Sequence, residues 1–95
     1  NQLQIELKED IAQCTYANLT VITHSRSEFI VDFICVMPGM PKASVKSRIV
    51  LAPEHAKRLL RALEENIGKY ERTFGSIRLL DEQSIPPMTN LKGEA

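Results

Sequence analysis

His24, Glu28, Asp32 and Arg48 are the side chains whose types and spacing could carry chemistry. An imidazole beside a carboxylate can act as a general base. No nucleophile, second positioned acid or pocket wall accompanies them, and strand alternation accounts for Glu28 and Asp32 without catalysis. The sequence therefore reads as a non-enzyme with no catalytic residues. An enzyme using His24 with Glu28 or Asp32 is the minor alternative. Cys14 and Cys35 stand 21 residues apart with no CxxC pair and no Cys/His cluster, so neither redox nor zinc chemistry is expected. The spacing of His24 and His55 suggests no metal site, and His55 reads as a solvent-facing residue of a first helical turn. Pro38-Gly39-Met40-Pro41 has one glycine and no following helix, so it is a turn rather than a phosphate cradle. No cofactor is expected.

A second kind of chemistry is anion binding. Residues 42–61 hold Lys42, Lys46, Arg48, Lys57, Arg58 and Arg61 against Glu54 alone, a net +5. A basic segment ending at a helix N-terminus suits a phosphate backbone. No interleaved aromatic residue supports base stacking. Arg61 can pair with Glu65 and Arg48 with Asp32, so nucleic acid is a secondary reading.

The elements that must position these groups follow from length and period. The chain has 95 residues, with 12 Lys+Arg balancing 12 Asp+Glu and 43% hydrophobic residues. That is the composition of one folded domain, and a chain this short buries one modest core. No apolar run reaches the roughly 18 residues of a membrane span. No charged-then-apolar leader follows Asn1, and two free thiols fit a reducing compartment, which makes the cytoplasm the expected location.

Period-two alternation predicts four strands, at about residues 2–8, 17–24, 28–37 and 44–52. Folding the Pro-Gly loop about Met40 sets Phe29 by Leu51, Val31 by Ile49 and Cys35 by Val45 on a core face. The same fold sets Ile30 by Val50 and Asp32 by Arg48 on the other face. Centring the preceding turn on Arg26 sets Leu19 by Phe33, Val21 by Val31, Ile22 by Ile30 and His24 by Glu28. Pro53 opens a helix to about Phe74, with Gly75 as its stop. Ala56, Leu60, Leu63, Ile67, Tyr70 and Phe74 recur at alternating spacings of four and three, an apolar stripe for covering one sheet face. The same stripe has the spacing that seats a partner helix. The expected architecture is α+β: a four-stranded antiparallel meander with one long C-terminal helix packed on one face. Residues 1–78 form the domain and 79–95 a flexible tail.

Tyr16-Ala17-Asn18-Leu19, Thr23-His24-Ser25, Glu28 to Phe33, Met37-Pro38-Gly39 and Ser47 to Leu51 resemble a small bacterial domain family of unknown function. Pro53 to Leu60 and Tyr70 to Gly75 continue the likeness, which spans roughly residues 3–78. The resemblance implies a short, stand-alone, cytoplasmic bacterial protein with no assigned activity and no catalytic residues to carry over. Cys14 stands where the family pattern has glycine, and Ala52 where it has Ser or Thr.

The second sheet face is what most needs explaining. Ile22, Ile30, Ile34, Val36 and Val50 would share it with Asp32 and Arg48, and one helix covers one face only. A contiguous aliphatic patch of that kind marks an interaction surface. The leading expectation is a non-enzymatic interaction module that forms a homo-oligomer, first a dimer, through Ile22, Ile30, Asp32, Ile34, Val36, Arg48 and Val50. The alternatives are anion or nucleic-acid binding through Lys42, Lys46, Lys57, Arg58 and Arg61, and chaperone-like binding of apolar polypeptide. The last rests on a fold-level analogy to secretion chaperones built from a four-stranded sheet plus helix.

Overall fold

The β-branched and aromatic residues of three successive segments form the centre of the protein. A computed structural model describes residues 2–80. A single-turn helix α1 (Glu9–Ala12) precedes strands β1 (Leu19–His24), β2 (Phe29–Cys35) and β3 (Ser44–Leu51), and the long helix α2 (Pro53–Phe74) follows. The strands make one antiparallel sheet in the order β1-β2-β3. The α+β class and the meander hold, with three strands rather than four among the described residues. Residues 2–8, expected as a strand, belong to none, and Leu3, Ile5 and Leu7 stay 86%, 88% and 69% exposed. Alternation expresses a local preference for a half-buried pleat; pairing needs a strand edge at the right place, which local pattern does not specify. The tail expected over 79–95 lies, from residue 81 onward, outside the described residues.

β2 and β3 pair in the expected register over Phe29–Leu51, Ile30–Val50, Val31–Ile49 and Asp32–Arg48. A bulge then intervenes: Phe33 faces Ser47, but Ile34 faces Val45. Lys46 is the extra residue, and its insertion carries Val45 across to the face of Ile34. The expected Cys35–Val45 pair is thus replaced by Cys35–Ser44.

The β1–β2 register differs by one residue from the expected one. Leu19 faces Ile34, Val21 faces Asp32, Ile22 faces Val31 and His24 faces Phe29. The connection is a two-residue turn, Arg26-Ser27, closed by the Ser25 N–H donating to the Glu28 carbonyl at 2.9 Å. The Ser25 hydroxyl also accepts the Ser27 N–H at 3.3 Å, a serine turn that favours this closure. Because side chains alternate, the slip moves all of β1 to the opposite face. Ile22 therefore leaves the face of Ile30, while Leu19 and Val21 join it.

The segment leading into β1 carries two local devices. Asn18 extends the ladder past β1: its N–H donates to the Ile34 carbonyl, and its side-chain amide imitates another peptide group. Nδ2 donates to the Val36 carbonyl at 3.0 Å and Oδ1 accepts the Val36 N–H at 2.8 Å. Cys14 has φ +72°, the left-handed position that follows a helix, and its N–H donates to the Ile11 carbonyl. Glycine occupies such a position without Cβ crowding, which fits the glycine that the resemblance leads one to expect there.

Pro53 at the first turn and Gly75 at φ +100° bound α2, as expected. Ala52 offers no side-chain cap. The expected packing of α2 on the sheet is not formed. No residue of α2 is buried, and Leu60, Leu63 and Phe74 are 54%, 53% and 73% exposed. A helical period shows that a face seeks burial but not which surface provides it.

Asn18→Ala removes both amide bonds to Val36, and a pair of this kind contributes about 1 kcal/mol net. The variant is expected to lower the urea midpoint and speed hydrogen exchange at the Val36 amide more than at β3 amides. Unchanged exchange at Val36 would rule out the ladder-extension role.

Candidate interaction surface around Asp32 and Arg48

The residues of interest sit on β2 and its neighbours because directly opposed residues share a face. One face carries Ile30, Asp32 and Ile34 from β2, with Val21 and Leu19 beside them on β1 and Val50, Arg48 and Val45 on β3. At its centre Asp32 is buried, 8% exposed, between two neighbouring strands. A carboxylate withdrawn from water needs a partner, and Arg48 supplies both bonds: Nε donates to Oδ1 at 2.7 Å and Nη2 to Oδ2 at 2.9 Å. This bidentate fork is the strongest geometry available to the pair. The Arg48 side chain is 63% exposed against 12% for that of Asp32, so the guanidinium forms the solvent-facing side of the pair.

The hydrogen bonds from Arg48 hold the Asp32 carboxyl below its ordinary pKa, against the upward push of burial and with further help from the guanidinium charge. Reciprocally, the bonds to Asp32 and its charge raise the pKa of Arg48, slightly opposed by burial. Charge is thereby conserved on both groups across the physiological range. The pair is an anchor for register rather than a proton-transfer device.

Of the residues predicted for the interface, the structure brings together Ile30, Asp32, Ile34, Arg48 and Val50. Ile22 lies on the opposite face, and Val36 lies beyond the end of β2, clamped by Asn18. Leu19, Val21 and Val45 are additions that sequence reasoning missed. The serine turn was the available signal for the first two; nothing local announces the bulge that delivers Val45. Val45 and Val50, at 52% and 56% exposed, form the open flank of this face.

The other candidate groups disperse. His24 stacks against Phe29, ring centroids 5.4 Å apart, on the face opposite Asp32. The register thus separates His24 from Asp32, and Glu28 contributes its main-chain carbonyl to the turn. Lys42 lies in the loop before β3, Lys46 at the bulge, and Lys57, Arg58 and Arg61 on α2, where Arg58 pairs with Glu54. No group of three metal-ligating side chains forms among the described residues, and no helix among them is long and apolar enough to cross a membrane. Cys14 is an exposed and Cys35 a half-buried free thiol.

A three-stranded antiparallel sheet followed by one long amphipathic helix, centred on a buried ion pair, places the chain among small α+β domains. The chain belongs to the family described as Protein of unknown function (DUF3467), which matches residues 1–79. Neither a curated protein nor a solved structure matches it.

The depressed pKa of Asp32 sets the sign of its pH dependence. A group held below its unfolded value, about 3.9, adds stability that is present above that value and lost as pH falls through the folded pKa. Asp32→Asn is expected to melt at lower temperature than the parent at pH 7, with the gap closing below about pH 4. A gap independent of pH in thermal melts would show that the ion pair does not act this way.

Proposed function

We propose that this chain is a non-enzymatic protein-interaction module that completes its core by associating with a second copy. The observation that supports the reading is the scarcity of interior. Val31 and Ile34 are the only buried hydrophobic side chains among the described residues, while Ile22, Val45, Ile49, Val50 and, on α2, Leu60, Leu63, Ile67, Tyr70 and Phe74 are all at least 39% exposed. Ordering each residue costs about 1–2 kcal/mol, and fully burying an aliphatic side chain returns about 1.5–3 kcal/mol. Two buried side chains and partial burial around them leave the isolated chain short of a stable core.

The surface proposed for association is the open flank of the sheet face that carries Asp32: Val45 and Val50, at 52% and 56% exposed, with the exposed Arg48 guanidinium beside them over the buried Ile34 and Asp32. Its composition is that of an interface: aliphatic residues about an arginine whose charge is already balanced. The paired charge also penalises any partner that displaces it, which favours a self-complementary match over a non-specific one. Small homo-oligomers are most often two-fold dimers, so a dimer is the assembly expected.

Sedimentation equilibrium of the full chain is expected to show a dimer in the micromolar range. Val50→Lys sets an ammonium on the half-exposed flank with little effect inside the sheet, and is expected to weaken that dimer at least tenfold. A parent chain that stays folded by circular dichroism and monomeric at hundreds of micromolar would overturn the reading.

A further inference from the structure

We infer that α2 carries a self-complementary seam on which the α2 of a second copy docks antiparallel. The inference rests on the self-association proposed above and adds the element and the orientation. Ala56, Leu60, Leu63, Ile67, Tyr70 and Phe74 repeat at the spacing of a two-helix seam, and none of them is buried within the chain. The stripe is narrow, as a helix–helix seam is.

Three features bear on the orientation. The first is spacing, which permits the antiparallel register. A two-fold axis passing the helix at Glu65 sets Leu63 opposite Ile67 of the second copy, Leu60 opposite Tyr70 and Ala56 opposite Phe74. Each of the six stripe positions meets another stripe position, as each also would in a parallel pair, so volume and charge decide between the two.

The second is volume. The antiparallel pairing sets the smallest residue of the stripe against one of the largest at each end, where the Tyr70 and Phe74 rings already pack at a tilt, 5.0 Å between centroids. A parallel pair would set Ala56 on Ala56 and Phe74 on Phe74, leaving a gap at one end and crowding at the other. Interiors tolerate neither well.

The third is charge. Lys57 and Glu71 occupy equivalent flanking positions beside the stripe. Antiparallel pairing brings Lys57 of each copy to Glu71 of the other, so the attraction occurs twice. A parallel pair would instead set Leu59 by Glu64 and Asn66 by Glu71, with no opposite charges joined. Glu71 also accepts the Ile77 N–H through Oε2 at 2.9 Å, which leaves Oε1 for Lys57 of the second copy. The one unfavourable contact is Glu64 against Glu64 of the second copy, close to the axis.

That unfavourable contact makes the orientation testable in both directions. In the full chain, Lys57→Glu and Glu71→Lys are each expected to raise the dimer dissociation constant roughly five- to tenfold, because two exposed pairs per dimer turn repulsive. The double variant K57E/E71K restores the pairs with signs exchanged and is expected to return within about twofold of the parent. Glu64→Gln is expected to tighten the dimer a few-fold at low salt. Sedimentation equilibrium reads all four. Loss of the Ile77 contact in Glu71→Lys cannot produce rescue by Lys57→Glu, so the double variant isolates the contact between copies. A dimer that persists but shows no rescue overturns the antiparallel seam and leaves self-association through the sheet standing. A monomeric parent overturns both.

Discussion

A carboxylate on the middle strand of a sheet has to be matched from a neighbouring strand, and that demand organises this protein. Asp32 is closed in by β1 and β3, and Arg48 directly across from it is the side chain that satisfies both oxygens. A slip of one residue between β2 and β3 would turn Arg48 to the other face and leave the carboxylate unpaired. The cost of a buried unpaired charge exceeds what small changes in apolar contact can recover. The ion pair therefore does more for specificity of register than for net stability. Phe29–Leu51 and Val31–Ile49 then follow on the opposite face as consequences of the same alignment.

The rest of the architecture is shaped by a surplus of apolar surface. Three strands give a narrow platform, both of whose faces carry aliphatic residues, and the long helix adds a stripe of its own. Residues 2–8 contribute three more exposed apolar side chains on an alternating segment that joins no strand. Within the described residues such a chain has strong local preferences and little tertiary closure. The paired Asp32 and Arg48 fit this picture as a polar centre within an otherwise oily face.

Assembly of the sheet decides which of the candidate groups meet. The minor alternative read from the sequence pairs His24 with Glu28 or Asp32 on one outer face. The β1–β2 register puts His24 and Asp32 on opposite sides of the sheet. The basic segment 42–61 likewise divides between a loop, a bulge, a register pair and two turns of helix. What stays together is aliphatic, and it is centred on one balanced pair of charges.

Local pattern alone determined the three strands, the Pro-Gly loop, the helix from Pro53 to Phe74 with its glycine stop, and the Asp32–Arg48 pairing. Each depends on spacing within one segment or across one short turn, where period and turn chemistry act directly. The glycine expected in place of Cys14 is consistent with its φ of +72°. Tertiary structure decided the rest. Whether β1 turns Leu19 and Val21 or Ile22 toward Asp32 depended on a one-residue choice of turn, since Arg26-Ser27 and a turn centred on Arg26 both satisfy the alternation. The bulge at Lys46, the unpaired state of residues 2–8 and the uncovered stripe of α2 depend on contacts between distant segments. Periodicity states which side of an element avoids water; only the assembled chain decides what, if anything, it meets there.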